Sequence, residues 1–496
     1  MSTKTKVRLS IILYLFTAII RLYQLNLTAV YPDEITWMVK GKEFLYSIAK
    51  RNLEYFHGAW WNSTKDSYAI GIPVIVPSGL MYTSLAGSGK YSLKILPDII
   101  ASRLPIVFIG SLTAVLIFLF GLNYFTPAVS LITGLLYAIN PITISLDRWI
   151  LNDSFLTLFS FLSITSFYKS YNKSKSVLLP GVFLGLAFLV KPNGLLPFVA
   201  WLIFLLFGKN RRFTFKLIIL NVVSFLFIVG ALWPQVWISG PFAIIEYLSR
   251  QSRLVNSGDP IPNYFFGHAT LNPNPMYYFF QLFTRLPEII VILFISSAIF
   301  YFKRSRPNKT NILIPSVIIY SGIFLLLVSF SSVKGGVRYV LPLFPWIYLS
   351  CGWVINNIDI SKYQYKEFVK FVIITLSCLP LLYFPNYYLY YNSFINGPKT
   401  ASKFDLFGLC FGSKEALEYL DANHINGLTS VIGCADTAPY HSGRPLTKKL
   451  SDASIIIIEN SFVQQHPDSS FLKFVNNKKL IQEITQQGVV TARIYH

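Results

Sequence analysis

Eleven apolar runs constrain this chain more than any other feature. They lie at 9–25, 103–121, 128–145, 154–170, 176–190, 195–207, 217–234, 287–302, 311–330, 339–357 and 367–384. Most approach the roughly 17–20 residues that cross a bilayer as a helix. In lipid the backbone must satisfy its own hydrogen bonds, so such runs predict helices packed side by side. Only 13% of the 496 residues are charged, against about 25% in a soluble domain. With 53% hydrophobic residues, a disordered chain is excluded. The runs 176–190 and 195–207 are short and separated by Lys191-Pro192-Asn193-Gly194, so they read as two short spans or one kinked helix. The first run is not a cleaved signal, because Arg21 interrupts it and no small-residue cleavage site follows.

The net charge of +21 is unevenly placed. Residues 385–496 hold 10 Lys/Arg and 9 Asp/Glu, so nearly all the excess lies in residues 1–384. There it forms short clusters between apolar runs: Lys4, Lys6 and Arg8; Lys169, Lys173 and Lys175; Lys209, Arg211, Arg212 and Lys216; Lys303, Arg304, Arg306 and Lys309; Lys362 and Lys366. A nucleic-acid-binding face is not built this way. With eleven spans every cluster falls on one side, which the positive-inside rule makes cytoplasmic. The expectation is a multi-pass plasma-membrane protein with a cytoplasmic N-terminus. Segments 26–102 and 235–286 and the tail are then extracytoplasmic.

The tail differs in texture. Residues 414–423 read as an amphipathic helix, 428–433 and 454–458 as strands, 471–477 as a helix and 489–495 as a closing strand. The chain therefore divides into a membrane domain, 1–384, and a small α/β domain, 385–496. Cys410 and Cys434 both lie in the tail. Their compartment allows a disulfide and their spacing does not require one. No CxxC or HExxH spacing occurs.

Chemistry is expected among polar residues at the outer membrane edge. Tyr31-Pro32-Asp33-Glu34 follows the first span closely. Pro, Asp and Glu suit a helix start, and a carboxylate there also suits a general base; the two readings are compatible. Asp153 stands at the start of the fourth span. Arg103, Arg148, Lys191, Lys334 and Arg338 all fall on the outer side, where positive-inside bias disfavours them. Each alone is a snorkelling anchor. As a group, ionisable residues at the membrane mark a site, here for an anionic lipid headgroup beside a carboxylate.

These residues carry a resemblance. Asp33-Glu34 matches the Asp-Glu pair in the first outer loop of the C-type glycosyltransferases, in the protein O-mannosyltransferase-like family 39 and its phospholipid-carrier-dependent relatives. Arg148-Trp149-Ile150-Leu151-Asn152-Asp153-Ser154 is similar to that family's Arg-Tyr-Ile-Leu-Leu-Asp-Ser, departing at Trp149 and Asn152. Gly185–Lys191, Leu232-Trp233-Pro234, Arg338–Pro342 and Tyr387–Asn392 resemble further family segments in the same order.

The resemblance implies a polytopic bundle of about eleven spans, with a sugar moved from a polyprenyl-phosphate donor to an acceptor hydroxyl on the extracytoplasmic face, with inversion. Mannose or another hexose is the implied sugar. The implied catalytic set is Asp33, as base, with Glu34 and Asp153. The implied phosphate-binding set is Arg103, Arg148, Lys191, Lys334 and Arg338. No cofactor is required. Some relatives bind a divalent ion near an outer Glu and His, and His57 and His268 are the candidates here. The inserted sugar-binding module of eukaryotic members has no room in this chain, so the acceptor is a protein, a lipid or a polysaccharide. Transfer of a preassembled glycan by an oligosaccharyltransferase or ligase is the near alternative. A transporter or flippase is the distant one, and it lacks support from internal repeats.

Overall fold

The computed structural model describes residues 1–50, 71–87, 93–173, 176–208, 210–257, 262–304, 313–331, 334–357, 366–475 and 477–496. The apolar runs are helical. In chain order the helices are α1 (Thr3–Leu22), α2 (Pro32–Ala49), α3 (Ile72–Leu85), α4 (Asp98–Gly121), α5 (Pro127–Ala138), α6 (Pro141–Leu146), α7 (Asp153–Lys173), α8 (Leu179–Val190), α9 (Pro197–Phe207), α10 (Arg211–Leu232), α11 (Pro234–Ser239) and α12 (Phe242–Ser257). A short hairpin follows, β1 (Asn263–Phe265) with β2 (His268–Thr270), then α13 (Tyr277–Arg285), α14 (Glu288–Arg304), α15 (Leu313–Phe330), a 3₁₀ stretch Gly336–Leu343, α16 (Phe344–Asn357) and α17 (Lys366–Cys378).

Local chemistry sets the breaks. Pro127 and Pro141 open α5 and α6 behind Thr126 and Asn140, whose side chains accept from the first free amides. Pro192 ends α8, leaving helices of 12 and 11 residues on either side of one 3₁₀ turn. At about 1.5 Å per residue neither reaches the roughly 30 Å of a hydrocarbon core.

Four helical stretches among the described residues are long and apolar enough to span: α4, α10, α15 and Gly336–Asn357. The pair α13–α14, bent by 119°, passes the same test as one unit. The other runs are helical but shorter or less apolar. Only 28% of the most apolar window of α10 is buried; Phe215, Ile219, Val223 and Phe227 point outward, as on a lipid-facing helix.

The helix beginning at Asp33 is held by backbone contact. A Cβ on Gly41 of α2 would lie 2.6 Å from the Ile75 carbonyl of α3, and one on Gly79 would lie 2.5 Å from the Gly41 carbonyl. Glycine at both crossing points lets α2 and α3 touch without side chains between them.

The tail adds α18 (Gly397–Ala401), α19 (Phe411–Ala422), β3 (Thr429–Ile432), β4 (Ile455–Glu459), α20 (Asn460–Gln465), α21 (Ser470–Val475), β5 (Leu480–Gln486) and β6 (Val489–Tyr495). The sheet order is β3-β4-β6-β5, with β3 parallel to β4 and the other pairs antiparallel. β4 is covered on both faces. Ile455 and Ile457 pack with Leu417 and Leu420 of α19, while Ile456 and Ile458 pack with Val475 and Phe462. Alternating sides explain its continuous isoleucine run. Cys410 and Cys434 are joined in a disulfide across 5.5 Å between Cα atoms.

The linker is structural. The Asn392 amide donates to the Phe283 and Leu286 carbonyls at 2.6 and 3.0 Å, which fastens the bend between α13 and α14. Beside it, Asp405 accepts from Tyr391 and Gln281 and pairs with Arg285 at 3.6 Å, all buried.

Candidate active site

Tyr31 is the N-cap of α2 and Pro32 its first residue, as the helix-start reading expects. The two acids that follow have different surroundings. Glu34 is fully buried. Its Oε1 accepts from Arg103 Nε at 2.8 Å and from the Ile150 amide at 2.9 Å, and its Oε2 from Arg103 Nη2 at 2.7 Å and the Tyr31 amide at 2.8 Å. Asp33 points the other way. Its side chain is 45% exposed and meets Arg338 at 2.7 Å.

Arg338 lies 5.1 Å from the Tyr31 ring and 5.5 Å from the Tyr339 ring. Lys191 sits 4.3 Å from that same Tyr339 ring and 2.6 Å from Asp153 Oδ1. Asp33, Arg338, Tyr339, Lys191 and Asp153 therefore form one continuous cluster. Arg338 and Lys191 are each partly exposed there. The Asp153 Oδ2 is buried without a partner among the described residues.

The remaining three expected phosphate contacts are placed differently. Arg103 uses all five of its N–H groups: two on Glu34 Oε1 and Oε2, and three on the Leu25, Thr28 and Ala29 carbonyls. A guanidinium has five donors, so none is left for a ligand. Lys334 closes the C-terminus of α15, donating to the Val328, Ser329 and Ser331 carbonyls, where a cation suits the helix end. Arg148 is fully buried, donates to the Tyr23 and Gln24 carbonyls at 3.2 and 2.8 Å, and lies about 6 Å from the Phe384 and Tyr387 rings. Of the five expected cations, Arg338 and Lys191 join the open cluster, Arg103 and Lys334 are engaged elsewhere, and Arg148 keeps its Nε and Nη1 buried without a partner among the described residues. Backbone carbonyls take Lys334 and three of the five donors of Arg103, but only Nη2 of Arg148.

A further buried pair was missed. Arg21 of α1 meets Asp147 at 2.8 Å, and Ser154 donates to the same carboxylate at 2.6 Å. The carboxylate occupies the space of a side chain at Gly110, where a Cβ would fall 2.0 Å from its Cγ. Arg21 interrupting an apolar run was the available signal.

His268 is exposed on the β1–β2 hairpin, and His57 lies outside the described residues. Among the described residues no group of three or more His, Cys, Asp or Glu is placed to hold a metal ion.

Residues 92–237 match the family model of dolichyl-phosphate-mannose-protein mannosyltransferases. That segment carries Arg103, Arg148, Asp153 and Lys191 but neither Asp33 nor Arg338. No curated protein sequence matches the chain. Among solved structures, ArnT from Cupriavidus metallidurans bound to undecaprenyl phosphate is similar at a TM-score of 0.53 and 11% identity, over 100% of this chain and 98% of that one. Its apo state gives 0.52 and 12%, over 98% and 97%. The oligosaccharyltransferase AglB from Archaeoglobus fulgidus, in complex with an inhibitory peptide and a dolichol-phosphate, gives 0.50 and 10%, over 99% of this chain and 74% of that one. The matched family and these neighbours are glycosyltransferases of the C-type superfamily. The sequence-based resemblance is borne out.

Proposed function

Taking the C-type glycosyltransferase fold as the premise, we propose that this chain moves a sugar from a polyprenyl-phosphate donor to an acceptor hydroxyl at the extracytoplasmic face of the membrane, with inversion. The observation that carries this reading is the contrast at Asp33-Glu34: one carboxylate is sealed by four donors, and the next is open and held beside Arg338. Asp33 takes the proton of the acceptor hydroxyl. The hydroxyl oxygen bonds to the anomeric carbon as the bond from that carbon to the phosphate oxygen breaks, and the electron pair leaves with the lipid phosphate. Arg338 and Lys191 stabilise the charge that develops there. Asp153 holds Lys191, and Glu34 with Arg103 holds the start of α2.

The eleven-span topology, the 1–384 and 385–496 division and the outer location of the tail belong to this proposal. The one-sided basic clusters support them, and so does the Cys410–Cys434 bridge, which suits an oxidising compartment. A cysteine placed at Ser470 is expected to react with an impermeant thiol reagent on intact cells; labelling only after lysis reverses the orientation.

The function is tested by incubating the purified protein with a panel of radiolabelled polyprenyl-phosphate sugars and following label into lipid, polysaccharide and protein fractions. Mannose or another hexose is the proposed cargo, and the labelled fraction names the acceptor. Label that leaves no donor in the panel overturns the reading. Transfer only from a lipid carrying a preassembled glycan favours the ligase alternative.

A further inference from the structure

The nine residues between α1 and α2 end at Tyr31, two residues before Asp33. They have no helix or strand ladder beyond one 3₁₀ turn, Leu25–Leu27, so their carbonyls need donors from elsewhere. Arg148 serves Tyr23 and Gln24; Arg103 serves Leu25, Thr28 and Ala29; Trp149 Nε1 also donates to Ala29 at 2.9 Å. All of these come from the membrane body. Between these contacts the loop is also held from the tail, at Leu27 and Val30. Lys414 Nζ, from the first turn of α19, donates to the Leu27 carbonyl at 2.6 Å, and His441 Nε2 accepts from the Val30 amide at 3.5 Å. Lys414 is buried and has Glu418 at 3.5 Å as its counter-charge.

The contact is continuous with the site. The Tyr31 ring packs 4.9 Å from Trp149, Trp149 packs 5.1 Å from Tyr388 of the linker, and Tyr388 stacks on Phe411, the first residue of α19. His441 can accept because it stays neutral: burial first, then Lys414 and Arg103, push its pKa down to about 3.

We propose that Lys414 and His441 are positioning residues for the transfer: the C-terminal domain grips the loop that aims Asp33, and so completes the active site from outside the membrane body. This rests on Asp33 being the base. A base must meet the acceptor hydroxyl within hydrogen-bond reach, and a displacement of about 1 Å can cost about 100-fold. Releasing Leu27 and Val30 loosens the chain just before α2, leaving it on Arg103, Trp149 and Glu34, while the donor contacts at Arg338 and Lys191 stay in place.

The test uses the full chain with Lys414→Met, which keeps the stem but cannot donate, Lys414→Arg, and the double variant Lys414→Met/His441→Leu. The expected result for Lys414→Met is kcat down about tenfold, as one charge-assisted hydrogen bond is lost, with KM for the donor within about twofold. Lys414→Arg restores kcat, and the double variant falls further. Hydrogen exchange followed by mass spectrometry reads the loop without activity: peptides over 23–31 exchange faster in Lys414→Met, while β4 keeps its protection. Unchanged exchange at 23–31, equal loosening of the whole tail, or a freed loop with unchanged kcat each overturn the proposal. If the unaltered chain transfers nothing from any donor, the functional reading fails, and the exchange data alone decide whether the tail grips the loop.

Discussion

Asp33 and Glu34 are neighbours in the chain and opposites in the fold. Around Glu34 the structure is sealed: a bidentate guanidinium and two backbone amides fill every direction, and Arg103 has no donor left over. Around Asp33 the structure is unfinished: one oxygen meets Arg338, and nearly half of the side chain is open. The same division separates Arg21–Asp147, fully buried, from Lys191–Asp153, where the lysine is partly exposed and one carboxylate oxygen has no partner among the described residues. Sealed pairs hold elements together. Open ones, lying side by side along Tyr339, are where an outside molecule can still make bonds.

That contrast can be broken most sharply at Asp33. Asp33→Asn keeps the size of the side chain and cannot accept the proton, so transfer is expected to fall by about 100- to 10,000-fold, with donor binding and thermal stability unchanged. Transfer within about threefold of the unaltered protein leaves Asp33 as a plain helix-start residue. Glu34→Gln is the mirror test. It strands Arg103 in a buried site, which costs about 3–5 kcal/mol, and it is expected to lower stability to denaturant before it lowers kcat per folded molecule. A stable Glu34→Gln with low kcat would move the chemistry from Asp33 to Glu34. Arg338→Ala comes next: a charge-assisted contact contributes about 1.5–3 kcal/mol, so donor affinity measured with a non-transferable analogue weakens accordingly, whereas Lys334→Ala leaves it unchanged.

The smallest effect is a pH dependence in the tail, where a carboxyl is sealed with no ion pair among the described residues. Glu459 is fully buried and takes the Ser413 amide; burial, with Glu415 adding to it, pushes its pKa from 4.5 up to about 8. Burial likewise pushes Glu415 to about 7. The folded state therefore binds these protons more tightly than the unfolded chain. Their stabilisation is complete below about pH 4.5 and is lost as pH rises through about 7 to 8. Exchange of the β4 amides, corrected for intrinsic rate, is expected to quicken by more than about tenfold across that window. Glu459→Gln should flatten the dependence.

Much of this was legible in the sequence. The apolar runs mark the helices, Pro32-Asp33-Glu34 marks a helix start with acids at it, and Arg338 and Lys191 stand apart from the one-sided basic clusters. What the sequence could not display was which cation is already engaged. Arg103 finds Glu34 across 69 positions and three carbonyls in a loop more than seventy residues away, and no local spacing encodes that. The division into spans is hard to read for a related reason: Pro192 and Pro287 interrupt apolar segments, giving short or bent helices that hydropathy alone does not assign. In the tail, β3, β4 and β6 were readable as apolar runs. β5, Leu480–Gln486, was not, because it is an edge strand with mostly exposed polar residues, and the one-turn-and-a-half α20 has too few residues for a period.

The disulfide bears on timing. Cys410 is the N-cap of α19, four residues before Lys414, and its bond to Cys434 ties that helix to the end of β3. On the proposed topology this bond forms only after the tail has been exported. A newly inserted chain would then have its helices and its acids, with the loop before the base held by Arg103, Arg148 and Trp149 alone. On that reading, oxidation of one pair of thiols outside the membrane firms the tail's share of the hold on the base, a late tightening rather than a precondition of folding.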